Sequence, residues 1–167
     1  MSNSSHHAVH SSFRENLIEH LFIAELLKES WLRKECTLEV AKPEVDNAGY
    51  DLIAESPSCV RHIQLKTTKI GGKTPAQKVH TKLAEKSSGC VVWIFFDEKE
   101  WALGPFRFFG SAAGKSLPSL NEFKIAKHTK GNKDGDKTKR PNIRVIPKSN
   151  FDYFESFKDL FDQLFKL

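Results

Sequence analysis

Residues 50–68 read Tyr-Asp-Leu-Ile-Ala-Glu-Ser-Pro-Ser-Cys-Val-Arg-His-Ile-Gln-Leu-Lys-Thr-Thr and predict a β-hairpin. One strand is expected from about Gly49 to Glu55 and a second from about Cys59 to Thr68. Ser56-Pro57-Ser58 supplies the turn residues between them. This hairpin organises the remainder of the predicted fold.

The second strand of the hairpin is expected to be two-faced. Side chains alternate between the faces of a strand, so His62, Gln64 and Lys66 lie opposite the apolar Ile63. Asp51, on the first strand, also points away from its apolar neighbours. An acid, an amide oxygen and a lysine in one place can hold a hard divalent cation and stabilise an attacked phosphate.

Composition predicts one globular domain. A chain of 167 residues with 39% hydrophobic residues, including 13 Phe, is long enough to bury a core. No apolar run approaches the roughly 20 residues of a membrane span, and the first residues lack a signal-peptide pattern. The three cysteines have neither an even count nor metal-like spacing, which favours a reduced cytoplasmic protein. We expect a flexible tail over residues 1–11 and a single domain over residues 12–167.

The net charge of +5 is unevenly distributed along the chain. Residues 124–148 contain nine Lys and Arg against two acids, and residues 66–86 contain six Lys against one Glu. Two basic segments on an otherwise acidic chain suggest a polyanion bound at a defined place. A pair of solvated lysine-rich loops explains the same pattern.

A helix is predicted from Ser11 or Ser12 to about Glu29, with Glu15 completing a capping box. Glu19 lies on it beside apolar residues, and a carboxylate there needs a partner because burying it alone is costly. A salt-bridged surface acid is the alternative reading of Glu19. The residues expected to bury this helix are Phe13, Leu17, Leu21, Ala24 and Leu27, with Ile18, Phe22 and Leu26 widening the stripe.

The elements around the hairpin follow from periodicity. Cys90 to Phe96 is apolar on both faces and predicts a central buried strand. Thr74 or Pro75 to Ser87 predicts a second helix, because Val79 and Leu83 lie one turn apart. Further strands are expected over Trp31–Val40, Trp101–Phe109, Phe123–Lys127 and Asn142–Ile146, and an amphipathic helix over Phe151–Phe165.

The order helix, three strands, helix, buried strand resembles the PD-(D/E)xK nuclease superfamily. The signature of that superfamily is an acid at the start of one strand and (D/E)-x-K on the next, often with a helical glutamate before them. Here Asp51 matches the first acid, Gln64-Leu65-Lys66 lies thirteen residues further on, and Glu19 is on the preceding helix. The departure is Gln64, which brings no charge where the family pattern has an acid.

The resemblance implies an α/β fold with a restriction-endonuclease-like αβββαβ core over about residues 12–96. A central mixed sheet is flanked by helices, and residues 97–167 add further strands and a helix. It also implies that Asp51, Gln64 and Glu19 hold Mg²⁺ or Mn²⁺, and that Lys66 activates the attacking water. His62 is either a substrate contact or a surface histidine.

The function implied by the resemblance is a metal-dependent nuclease, with DNA as the expected substrate. The alternatives are a nucleic-acid-binding protein of the same fold that does not cut, and an interaction module that uses the Phe-rich C-terminal helix. A homodimer is also compatible with the sequence. The expected backbone contacts are Lys69, Lys73, Lys78, Lys82, Lys127, Lys130, Lys133, Lys137, Lys139 and Arg140.

Overall fold

The computed structural model describes residues 10–45, 47–128 and 137–166. The predicted tail residues 1–9 and the candidate contacts Lys130 and Lys133 lie outside these ranges. The described elements are α1 (Ser11–Leu32), β1 (Glu39–Ala41), β2 (Leu52–Glu55), β3 (Val60–Lys69), β4 (Ala76–His80), β5 (Gly89–Phe96), β6 (Leu103–Gly110), β7 (Lys124–Lys127), β8 (Lys139–Pro147), β9 (Asp152–Phe154) and α2 (Phe157–Phe165), with 3-10 turns over Thr81–Glu85 and Lys148–Asn150.

A mixed six-stranded sheet in the order β1-β2-β3-β5-β6-β9 forms the centre of an α+β fold. The predicted hairpin is confirmed: β2 pairs antiparallel with β3, and Ser56 N–H donates to the Cys59 carbonyl at 2.9 Å in the turn. β3 pairs parallel with β5, and every residue of β5 is buried, as its apolar sequence predicts. The expected mixed sheet is therefore present.

Each face of this sheet is covered by a different layer. Both helices pack on one face, where Phe22 of α1 and Phe161 of α2 join Ile63 and Val92 of the sheet in one core. A second, three-stranded sheet in the order β4-β8-β7 covers the other face around Trp93. Within the described chain, no helix is long and apolar enough to cross a bilayer.

The predicted second helix over residues 74–87 is wrong. These residues form β4 and then a 3-10 turn, and β4 pairs antiparallel with β8 from Ala76, opposite Pro147, to His80, opposite Ile143. Val79 belongs to β4 and Leu83 to the 3-10 turn, and both are buried in the second core. Their spacing of four residues therefore does not come from one helix. Pairing with a strand distant in sequence overrides the local helical pattern.

Helix α1 also differs from the prediction. It starts at Ser11 with His10 at its N-cap, so the expected serine cap and capping box are absent, and it continues to Leu32. The predicted strand from Trp31 therefore shortens to β1. Of the expected core stripe, Ile18, Phe22 and Leu26 are buried, whereas Phe13 and Leu27 face solvent.

The C-terminal region begins with a short edge strand rather than a helix. Residues 152–154 form β9 against β6, and α2 starts at Phe157. Ser156 caps α2, because its Oγ accepts the Asp159 N–H at 3.2 Å. Fully buried Arg61 attaches this helix to the hairpin by donating to the Leu164 carbonyl at 2.7 Å and the Gln163 carbonyl at 3.1 Å.

Candidate active site

A cavity of about 540 Å³ opens beside the second half of β3. β2 has four residues and β3 has ten, and the antiparallel ladder between them ends where Leu52 meets Ile63. Past that point one edge of β3 faces the cavity, between α1 and β4. The cavity is lined by Ser12, Glu15, Asn16, Ile18, Glu19, Asp51, Leu65, Lys66, Thr67 and Gln77.

Asp51 is fixed at the end of the ladder by two hydrogen bonds to β3. Its N–H donates to the Ile63 carbonyl at 2.9 Å, and its Oδ2 accepts the Leu65 N–H at 2.6 Å. The carboxylate thus replaces the next backbone partner of the ladder and lies beside the backbone of the Gln64-Leu65-Lys66 motif. A hydrogen bond to the charged form holds such a carboxylate in one orientation.

A glycine leads the chain into this position. Gly49 has a φ of +78°, a left-handed conformation that glycine adopts without steric cost. A Cβ added to Gly49 would lie 2.8 Å from the Cβ of His80. Close packing of this turn against the end of β4 therefore requires glycine, and it sets the approach to Asp51.

Glu19 enters the cavity from α1. It lies on the same helical face as Ser12, Glu15 and Asn16, at steps of three and four residues. Its side chain is only 15% exposed and forms an ion pair with Lys42. The expectation that this acid needs a partner is met by a lysine in the loop after β1.

Lys66 lies on β3 opposite Trp93 of β5 in the parallel register, and its side chain is half-buried. It lines the same cavity as Asp51 and Glu19. Three of the four residues predicted for catalysis therefore converge from three segments: α1, the start of β2 and the open half of β3.

Gln64 does not line the cavity. Its side chain is 8% exposed, and its Oε1 is buried with no hydrogen-bond partner in the described part of the chain. His62 also lies outside the lining: its Nδ1 donates to the Ser87 carbonyl at 2.8 Å, and its ring packs edge-on against Tyr50. These contacts give His62 a structural environment away from the cavity.

The donor set suits a hard divalent cation. Asp51 and Glu19 offer carboxylate oxygens in the cavity, and Mg²⁺ and Mn²⁺ prefer oxygen ligands. Among the described residues, the buried Gln64 Oε1 is an acceptor without a donor, and a cation in the cavity would satisfy it only after the side chain turns towards the cavity. Among the described residues no group of three or more His, Cys, Asp and Glu side chains could hold a metal; the predicted set, with two carboxylates and an amide, is of a different kind.

Thiol chemistry has no support at this site. Burial raises the pKa of Cys90 to about 12, so its thiol is protonated at neutral pH. Cys90 is one of three free cysteines: Cys36 is exposed and Cys59 is partly buried. None of them lines the cavity.

The candidate backbone contacts fall on the small sheet and its surroundings. Lys78 of β4 pairs with Val145 of β8 and lies on the solvent side of that sheet, as does Lys124 of β7, which was not among the predicted contacts. At its far edge Lys127 pairs with Lys139. A smaller cavity of about 280 Å³ opens at this edge and is lined by His80, His128, Lys139, Arg140, Pro141, Asn142 and Ile143.

The remaining lysines have more varied surroundings. Lys69 forms a long ion pair with Glu98 at 3.6 Å, and Lys82 Nζ donates to the Asn47 carbonyl at 3.2 Å. Lys73 and Lys137 are exposed. β4 contributes to the lining of both cavities, because Gln77 lines the first and His80 lines the second, about 10 Å further along the strand.

Comparison with known proteins does not identify a family. A scan against protein-family models and a search of curated proteins return no match to this chain.

Sequence reasoning missed two residues of the site. Gln77 reaches the cavity from β4, which had been predicted as helix, and Lys42 pairs with Glu19 from a loop. The alternation of buried Val79 with exposed Lys78 is the signal of a strand at β4. The sequence carries no local signal for the partner of Glu19, because 23 positions separate the two residues.

Proposed function

We propose that this chain is a metal-dependent nuclease that hydrolyses phosphodiester bonds in DNA. The observation that supports this most directly is that Glu19, Asp51 and Lys66 line one cavity at the open edge of β3. Asp51 matches the first acid of the PD-(D/E)xK pattern, Lys66 matches its lysine, and Glu19 matches the helical glutamate that often precedes them. The second acid of the pattern is replaced by Gln64.

Each residue has a role that its position supports. Asp51 and Glu19 would hold Mg²⁺, with the Gln64 oxygen as a third ligand once its side chain turns towards the cavity. The ion would polarise a phosphoryl oxygen and lower the pKa of a bound water. Asp51 is oriented for this by the Leu65 N–H, at 2.6 Å. Lys66 places a positive charge in the cavity, where it offsets the negative charge that grows on the attacked phosphate.

A metal that binds the paired oxygen of Glu19 would exchange with its present partner. The Glu19 carboxylate is ion-paired with Lys42, so a cation at that oxygen must compete with the lysine ammonium. Lys42 is 43% exposed and can move towards solvent when Glu19 binds a cation. Lys42 thereby stabilises the mostly buried acid while no cation is bound.

The basic surface supports a long polyanion as substrate. Lys78 and Lys124 lie on one face of the small sheet, and Lys139 and Arg140 line the cavity at its edge. Such side chains contact phosphates, which supply affinity without sequence preference. DNA lying across the small sheet would then meet the catalytic cavity at Gln77.

The first test is plasmid cleavage in Mg²⁺ and in Mn²⁺, each with an EDTA control. Asp51→Asn and Lys66→Met should reduce the cleavage rate by at least about 100-fold, the effect of removing one preorganised charge. Asp152→Asn in β9 and Lys28→Met in α1 are matched controls outside the cavity and should cleave like the wild type. Wild-type cleavage that persists in EDTA would overturn the proposal.

A second test concerns the substrate. Lys139→Ala and Arg140→Ala should weaken DNA binding similarly for unrelated sequences, and each should reduce the slope of log affinity against log salt by about one. DNA binding that is unaffected by either substitution, or by salt, would show that DNA does not contact Lys139 and Arg140.

A nucleic-acid-binding protein that does not cut is the second candidate. Gln64 favours it, because an amide replaces the charged ligand and its side chain does not line the cavity. Salt-dependent DNA binding with no cleavage in either metal, and unchanged by Asp51→Asn, would support this candidate over the nuclease.

A further inference from the structure

Helix α1 is apolar on two opposite faces. One face packs on the central sheet through Ile18, Phe22 and Leu26, which are fully buried. At 100° per residue, Phe13 and Leu27 lie on the opposite side. A surface helix normally presents polar residues on the side opposite its buried face. The second apolar face of α1 is therefore suited to packing against another apolar surface.

The solvent-facing apolar stripe follows a regular spacing. Its positions 13, 17, 20, 24, 27 and 31 alternate steps of four and three, which is the spacing of a helix seam that packs against another helix. Phe13 and Trp31 are each 73% exposed, and Leu27 is 47% exposed. We define the outer stripe as Phe13, Leu17, His20, Ala24, Leu27 and Trp31.

The outer stripe reads the same way in both directions. From either end, the order of residue types is an aromatic residue, a leucine and a smaller or polar residue, followed by the same three types in reverse order. Antiparallel pairing with an identical helix places Phe13 beside Trp31 of the second copy and Leu17 beside Leu27 of the second copy. His20 then meets Ala24, so a large residue never faces an equally large one at the centre. A two-fold interface requires such self-complementarity.

We propose that a second copy of this chain docks on the outer stripe, through an antiparallel pair of α1 helices related by a two-fold axis. The seam spans about 27 Å of helix. With side chains of about 200 Å² each, the exposed fractions of Phe13, Leu27 and Trp31 leave roughly 400 Å² of apolar surface per copy. These three side chains therefore bury about 800 Å² in a pair, and the exposed His20 and Ala24 add to this area towards the roughly 1,000 Å² lower limit of a specific interface.

The margin of the stripe is compatible with this pairing. Lys28 borders Leu27 and forms an ion pair with Glu25 at 2.8 Å, so its charge is compensated within the helix. Ser12, Glu15, Asn16 and Glu19 of the same helix line the catalytic cavity. The pair would therefore carry two such cavities, one along each helix.

The test is the mass of the protein in solution, measured by sedimentation equilibrium over a wide range of concentration. The wild type should approach twice the chain mass of 19.0 kDa. Leu27→Lys and Trp31→Lys each introduce a residue with a high helix propensity, so α1 should remain helical. Each substitution should raise the dissociation constant of the dimer by at least about 30-fold. Ile70→Lys, at a 52% exposed apolar residue outside α1, is the matched control and should not alter it.

A mixing experiment tests the antiparallel register. Phe13→Glu and Trp31→Lys should each be monomeric alone, and their mixture should form a heterodimer, because residue 13 of one copy meets residue 31 of the other. Circular dichroism confirms that each variant retains its helix. A wild type that is monomeric at every concentration overturns the inference. A mixture that stays monomeric while the wild type dimerises overturns the antiparallel arrangement. Neither result depends on whether the chain cleaves DNA.

Discussion

Replacing Gln64 with methionine should stabilise the protein and remove most of its stabilisation by divalent cations. Gln64 is 8% exposed, and its Oε1 has no hydrogen-bond partner within the described residues. A buried polar group without a partner costs about 1–3 kcal/mol of stability. Such a cost persists in a functional site when the atom has a ligand to bind.

The size of the gain follows from the local packing. Methionine has nearly the length and volume of glutamine, and volume-conserving exchanges cost less than about 1.5 kcal/mol. The net gain in the free energy of unfolding is therefore about 1 kcal/mol. For a chain of this size it corresponds to a rise in Tm of about 2–4 °C.

Urea and thermal unfolding in EDTA measure this gain, and the same measurements in Mn²⁺ measure the ligand role. At a concentration 100 times its dissociation constant, a cation that binds only the folded state adds about 2.7 kcal/mol. The wild type should show this stabilisation, and Gln64→Met should lose most of it. Gln163→Met on α2 is the matched control, with an expected change within about 0.5 kcal/mol in either buffer.

Two results would refute the reasoning about Gln64. If Gln64→Met is less stable than the wild type by more than about 1 kcal/mol in EDTA, the amide oxygen has a structural partner. If the variant keeps the full stabilisation by Mn²⁺, Gln64 is not a ligand, and the cation is held by the carboxylates alone.

Three further predictions concern charged side chains. Arg61→Met should lower the free energy of unfolding by about 3 kcal/mol, measured in urea, because this fully buried guanidinium donates to three backbone carbonyl groups at 2.7–3.1 Å; a loss below 1 kcal/mol would contradict it. The hydrogen bond from Arg33, at 2.6 Å, lowers the pKa of Asp162. Its stabilisation is therefore present above the unfolded pKa of about 3.9 and is lost as pH falls through the lower folded pKa. Asp162→Asn should thus cost about 0.5 kcal/mol at pH 7 and nothing in strong acid, which urea unfolding at the two pH values measures. Lys42→Met should destabilise the protein in EDTA by leaving Glu19 without its ion pair, and its Tm should rise more in Mn²⁺ than that of the wild type; equal shifts would show that Glu19 does not take part in cation binding.

The parts of the fold that were predictable are those specified by local pattern. The hairpin follows from alternation around the Ser-Pro-Ser turn, and β5 follows from an unbroken apolar run. The strand at Ala76–His80 was not predictable in the same way, because its ladder is formed with β8, about 70 residues later. Two apolar residues four apart fit a helix as well as a strand followed by a turn.

The residues that meet in the candidate site were predictable to a similar extent. Asp51 and Lys66 follow from the register of the hairpin, and Glu19 follows from an acid placed beside apolar helix neighbours. Their common cavity depends on where α1 packs, which the helical pattern left ambiguous because α1 has two apolar faces. The contributions of Lys42 and Gln77 depend on tertiary contacts that no short segment specifies.

The unequal lengths of β2 and β3 explain why the candidate site lies at the open edge of β3. The ladder ends at Leu52 opposite Ile63, while β3 continues to Lys69 and stays fixed on its other side by the parallel pairing with β5. One edge of a rigid, central strand is thereby left open, and its backbone groups need partners. The Asp51 carboxylate accepts the Leu65 N–H, so the group that ends the ladder is also the acid of the proposed site. If β2 continued to pair with β3 before Leu52, Asp51 would be displaced from the Leu65 N–H. The short length of β2 and the position of Asp51 therefore depend on each other.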